Sequence, residues 1–239
     1  ELQRIAAGQD LRFYMPGHKG CPTEECLVGA LHPYDVTEIS TTDNLYHAEG
    51  IIQKSQEETA QIFGCGQAFY CTNGSTGALH TMLLMIKQRG GRLLVDRNCH
   101  KSVLHGAMMF QLQVDFLLPP LLEEFGITGG YRASQVEEAL SKGQYDGVLI
   151  TSPTYYGAIS DIQGIAQICH AHGAWLLVDG AHGAHLGFDE DSPLPPWKLG
   201  ADLVAVSAHK TLPALTQTAY LFAASHVDGS EVQRCMSVT

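Results

Sequence analysis

Lys210 stands in the run Ser207-Ala208-His209-Lys210-Thr211, directly after the apolar stretch Leu203-Val204-Ala205-Val206. An amine in apolar surroundings loses proton affinity, because burial penalises its charged form, and a Schiff-base lysine requires that state. A solvated loop lysine is the plain alternative, and the neighbouring Ser207 and His209 weigh against it. Asp179 closes the stretch Trp175-Leu176-Leu177-Val178 and precedes Gly180-Ala181-His182-Gly183. A buried carboxylate needs a partner. A protonated pyridine nitrogen would serve, and so would an arginine or histidine. Thr72-Asn73-Gly74-Ser75-Thr76-Gly77 joins an apolar stretch to a helical pattern. It offers open backbone N–H groups and hydroxyls to a phosphate, although an ordinary N-cap by Asn73 or Ser75 explains the same residues. It is neither a P-loop nor a GxGxxG turn. His100, in Asn98-Cys99-His100-Lys101-Ser102, is able to stack on an aromatic ring or donate to a phosphate. Taken alone, it reads as a helix cap or a core histidine.

The elements that must position these residues alternate from about residue 49. Helical spacing predicts helices over 49–63 (with Ile51, Ile52, Ser55, Thr59 and Ile62 on or near one face), 75–89, 100–111, 134–142 and 161–172. Short apolar runs predict strands at 67–71, 92–96, 113–118, 147–151, 174–179 and 201–206. Several of these runs are apolar on both faces, as in a parallel sheet covered by helices on each side. The expected fold is therefore α/β, a three-layer sandwich with a mostly parallel central sheet, and chemistry in such sheets gathers at the carboxyl ends of the strands. Residues 1–48 show little periodicity and read as an N-terminal arm. The Pro-rich stretch Ser192–Pro196 reads as a surface loop.

Composition narrows the classes. The formal charge is −11, from 25 acidic and 14 basic residues; a general nucleic-acid binder needs a basic face instead. Seven cysteines, none in a CxxC pair, read as reduced thiols. No run is long and apolar enough to span a bilayer, and no leader opens the chain, so a soluble cytoplasmic protein is expected. Twelve histidines raise the question of metal. The close pairs His170-Ala171-His172 and His182-x-x-His185 match no HExxH or zinc quartet, and no metal site is expected.

A phosphate turn, a ring-stacking histidine, a strand-end aspartate and a strand-end lysine, in that order, resemble the fold-type-I pyridoxal-phosphate (PLP) enzymes. The runs PGHKG, DRNCHKS, SPTYYG, VDGAHGAHLGF and SAHKTLPALTQTA, from about Phe13 to Phe222, resemble the major domain of the Orn/Lys/Arg decarboxylase family. The resemblance implies a PLP-dependent transferase-like large domain over 49–225 and decarboxylation of arginine, lysine or ornithine to a polyamine-pathway amine. It implies that Lys210 holds PLP as a Schiff base, Asp179 faces the pyridine nitrogen and His100 stacks on the ring. Ser75, Thr76, Ser207 and His209 would hold the phosphate. His182 would sit by the cofactor and the substrate amine as a candidate proton donor, and Thr154 at the cofactor's edge. The implied partners are a basic amino acid and a second copy of the chain in a homodimer or larger homo-oligomer, with neither nucleic acid nor membrane. Family members continue into a smaller C-terminal domain, expected to be absent here, with 226–239 as a truncated lead-in lacking a core of its own. An aminotransferase, lyase or aldolase on the same fold, or a non-catalytic PLP-binding fragment, are the competing readings.

Overall fold

A computed structural model of the chain describes residues 43–239. Most of the expected arm, with PGHKG, Cys21 and Cys26, lies outside the described residues. Six apolar runs and a seventh form one sheet: β1 (Gln67–Cys71), β2 (Arg92–Asp96), β3 (Gln113–Leu117), β6 (Gly147–Thr151), β7 (Trp175–Asp179), β8 (Leu203–Ser207) and β9 (Ala219–Ala223). Their order is β1-β9-β8-β7-β6-β2-β3. Strand β9 is antiparallel to both its neighbours, while β8, β7, β6, β2 and β3 pair in parallel. A separate two-stranded ribbon joins β4 (Leu121–Leu122) to β5 (Ile127–Thr128).

Side chains alternate across a strand, and this alternation sorts the core into two. On one face, Leu94, Val148, Ile150, Leu176, Val178 and Val204 pack against α1 (Ile51–Phe63), α4 (Ala133–Leu140) and α5 (Ile162–Ala171). On the other, Leu93, Val95, Leu149, Leu177, Leu203 and Ala205 pack against α2 (Gly74–Arg89), α3 (Lys101–Met109) and α7 (Gly229–Met236). The short α6 (Ala208–Thr211) follows β8. The three-layer α/β sandwich with its mostly parallel sheet is thus the observed fold. No helix among the described residues is long and apolar enough to cross a membrane.

One local expectation needs correction, and two elements lay outside the expectations. Helix α1 buries Gln56, Thr59, Ala60 and Phe63, whereas Ile51 and Ile62 are exposed; the stripe that meets the sheet lies beside the isoleucines. Strand β9 was not expected, because Ala219–Ala223 follows an irregular stretch and pairs antiparallel in a sheet otherwise built by crossovers. The segment from His226 forms α7, whose Val232, Cys235 and Met236 are buried on the α2 face, so it shares the core of the sandwich.

Candidate active site

The parallel strands β2, β6, β7 and β8 end at Asp96, Thr151, Asp179 and Ser207, and the candidate residues converge beyond these ends. Lys210, half-buried on α6, places Nζ 3.2 Å from His182 Nε2. Burial lowers the Lys210 pKa, opposed by the charge of Asp179. The His182 pKa falls to about 4, first from burial and then from the Lys210 charge beside it. His182 is therefore neutral near pH 7, and its Nε2 is free to accept a proton shared with the lysine. Its Nδ1 is buried without a hydrogen-bond partner among the described residues.

Asp179 is 2% exposed. Its only side-chain hydrogen bond among the described residues comes from Ala181 N–H, at 3.2 Å. Burial raises its pKa, against the pull of that N–H and of Lys210 and His100. A carboxylate this deep with a single backbone donor is built for a cationic or protonated partner.

At the other side of the site, α2 begins at Gly74, whose φ of +67° carries the chain from β1 into the helix. Asn73 makes no side-chain cap bond; Gly74 N donates to the Gln217 carbonyl at 2.8 Å and Gly77 N to the Asn73 carbonyl, so among the described residues the N–H groups of Ser75 and Thr76 are the ones left open at this turn. Ser207 Oγ donates to Ser75 Oγ at 3.0 Å, which draws the β8 end onto this turn. Thr76 is exposed there, and His209 turns Nδ1 to the Thr218 carbonyl at 3.0 Å. Open N–H groups and hydroxyls at a helix N-terminus suit an anion such as a phosphate. His100 does cap its helix: Nδ1 accepts from Ser102 N at 3.3 Å and lies 2.7 Å from Ser102 Oγ. Thr154 is buried, with Oγ1 accepting from Ala158 N at 3.1 Å, so its side chain serves its own turn.

Two residues absent from the sequence reading stand at this site. Tyr155 is 80% exposed and meets the His182 ring edge-on at a centroid distance of 5.8 Å. Asp96, 1% exposed, accepts from Tyr131 OH and Asn98 N, each at 2.8 Å. An aspartate ending LLVD and an aromatic in a loop are both commonplace, and nothing in their spacing marks them. Among the described residues no group of histidine, cysteine or acidic side chains is arranged to hold a metal.

Comparison with known proteins adds the following. The sequence model of the family described as "Orn/Lys/Arg decarboxylase, major domain" matches residues 2–238. The chain is 36% identical over 214 residues to the uncharacterized protein YaaO of Bacillus subtilis (strain 168), covering 87% of this chain and 45% of YaaO. It is 34% identical over 218 residues to an arginine decarboxylase of Bacillus cereus, covering 88% and 47%. The chain thus spans about half the length of the curated relatives it matches. The structure of the constitutive lysine decarboxylase of Escherichia coli shares the fold, with a TM-score of 0.68 at 22% identity, covering 99% of this chain and 37% of that one.

Proposed function

The chain belongs to the Orn/Lys/Arg decarboxylase family, and from that premise we propose that it is the cofactor-carrying part of an enzyme that decarboxylates arginine, lysine or ornithine with PLP. The observation that carries this reading is the apposition, at the strand ends, of Lys210, whose pKa burial lowers, a neutral His182 3.2 Å away and a buried, underpartnered Asp179. In this reading residues 49–225 bind the cofactor, 226–239 lead toward the remainder of a longer protein, and the working form is a cytoplasmic homodimer or larger homo-oligomer.

The residues present fit the cofactor. Asp179 offers its carboxylate to the ring nitrogen, the open turn at Ser75 and Thr76 with Ser207 and His209 takes the phosphate, and His100 covers the ring. Lys210 carries the cofactor, and Thr154 borders it. PLP when bound supplies an electron sink for the pair left behind as CO2 departs. Asp179 keeps a proton at the ring end of the site. Lys210, once free, stays at high effective concentration beside the substrate carbon. Lys210 or His182 then delivers the proton to that carbon. Their mutual distance of 3.2 Å lets one recharge the other.

The test is product analysis with PLP and each of the three amino acids in turn. Release of CO2 with the matching primary amine is the expected result. Formation of a keto acid would move the chain to amino transfer, and bound PLP without either product would confine it to cofactor binding.

A further inference from the structure

Among the described residues, Asp96 is the one buried acid near the site that the chemistry above leaves without a task. It ends β2 and is separated from Asp179, at the end of β7, by β6 alone. Two strand spacings put their backbones on the order of 10 Å apart. Tyr131 OH and Asn98 N donate to Oδ1, and Thr151 N donates to Oδ2 at 3.3 Å. None of these donors is a cation. The adjacent Arg97 turns away, with its guanidinium 5.4 Å from the centre of the Phe116 ring.

We propose that Asp96 is a positioning residue of this site, which sets through its turn where His100 stands and through its charge how firmly the Asp179 end holds a proton. The inference rests on the reading that the site takes PLP. The geometric half follows from the turn. Asp96 binds Asn98 N through its side chain and Cys99 N through its carbonyl, at 3.0 Å. Those two bonds fold Arg97–Cys99 back on the strand and deliver His100 to the start of α3. The electrostatic half follows from the neighbours. Asp179 and His182 come from β7 and the loop after it, Lys210 from α6, Cys99 and His100 from the loop after β2, and Tyr131 from the segment before α4. Burial opposes the ionisation of Asp179 most, and the charge of Asp96 adds to it. Burial first, and then Asp96 and Asp179, push the Cys99 thiol up to about 11. A fixed negative charge behind Asp179 stabilises any proton or cation that Asp179 holds.

The experiment titrates the visible absorbance band of PLP bound to the protein against pH, in the wild type, Asp96→Asn and Asp96→Glu, with thermal unfolding measured alongside. Asp96→Asn keeps the shape and removes the charge. Its midpoint should fall by about half to one pH unit, the size expected for a charge at this range in a protein-like dielectric. Asp96→Glu should keep the wild-type midpoint even where it unfolds earlier. A midpoint unmoved in Asp96→Asn overturns the inference, as does an equal shift in both variants. Should Asp96→Asn fail to fold, Asp96→Ser takes its place, since a serine hydroxyl also accepts from the N–H two residues on. If neither folds, Asp96 has a structural role alone and the inference falls. Absence of a bound PLP band in the wild type would defeat the reading of the site itself, which is a different failure.

Discussion

Asp179 burdens the empty protein. Its folded pKa is raised above that of the unfolded chain, so between those two values the folded state binds more protons, and stability falls as pH rises through the window. Asp179→Asn should therefore unfold a few degrees higher than the wild type without cofactor, with the gain larger at pH 8 than at pH 4. The same variant should decarboxylate about 10²-fold more slowly or worse, as when a preorganised charge is lost. His182 has the opposite sign. Its folded pKa of about 4 lies below the unfolded value, so its contribution is complete above about pH 6.5 and is lost as pH falls toward 4. His182→Asn should flatten that part of the stability–pH curve, measured by thermal unfolding across pH 4–7. The positions of Lys210 and Asp179 at strand ends were legible in the sequence because Asp179 closes an apolar run and Lys210 closely follows one, where a solvated charge has no ordinary place. Asp96 closes a similar run but reads as a common turn residue, and only its burial and its partner Tyr131, 35 positions on, set it apart.

At the level of elements, the loops that align the strand ends tolerate little. A Cβ on Gly130 would meet the Ile159 carbonyl oxygen at 2.0 Å, where the segment entering α4 crosses the one entering α5. Gly130→Ala should cost about 3 kcal/mol, read from the urea midpoint. Gly126→Ala, in the turn of the β4–β5 ribbon, meets nothing within 4 Å and carries only the cost of φ +63°, about 1 kcal/mol. Five strands carry their expected bounds or come within one residue of them, and for β2, β6 and β7 two-sided burial is the reason, since it makes their runs continuously apolar. The expected face of α1 took in Thr59, which is buried, but also Ile51 and Ile62 in place of Gln56, because isoleucines outweigh a glutamine in any count of apolar residues. Yet Thr59 is buried and meets the half-buried Tyr70 of β1, at 2.8 Å from its OH. Partners so distant in sequence leave no local periodicity.

Across the whole molecule, the end of the sheet opposite the site is tied by Asp202, which is 1% exposed. Oδ2 accepts from Leu176 N at 2.6 Å and from His170 Nε2 at 3.0 Å. His226 Nε2 lies 2.9 Å from Oδ1. One side chain thereby joins α5, β7, β8 and the segment entering α7. Asp202→Ala should destabilise the fold by about 3 kcal/mol, as expected when buried donors lose their acceptor, with the absorbance of bound cofactor unchanged in the protein that remains folded. The sandwich itself was legible from its apolar runs, whereas the packing of α7 on α2 was not, because its polar composition hides a stripe of only three buried residues.

The central claim, that Lys210 carries PLP, is tested most directly by the absorbance of the purified protein with added PLP. The spectrum is taken before and after borohydride, beside Lys210→Ala, with the modified peptide then mapped. The account predicts a visible band in the wild type that borohydride removes, leaving the label on Lys210, and no such band in the variant. A trapped label on another lysine, or an identical band in Lys210→Ala, would contradict it.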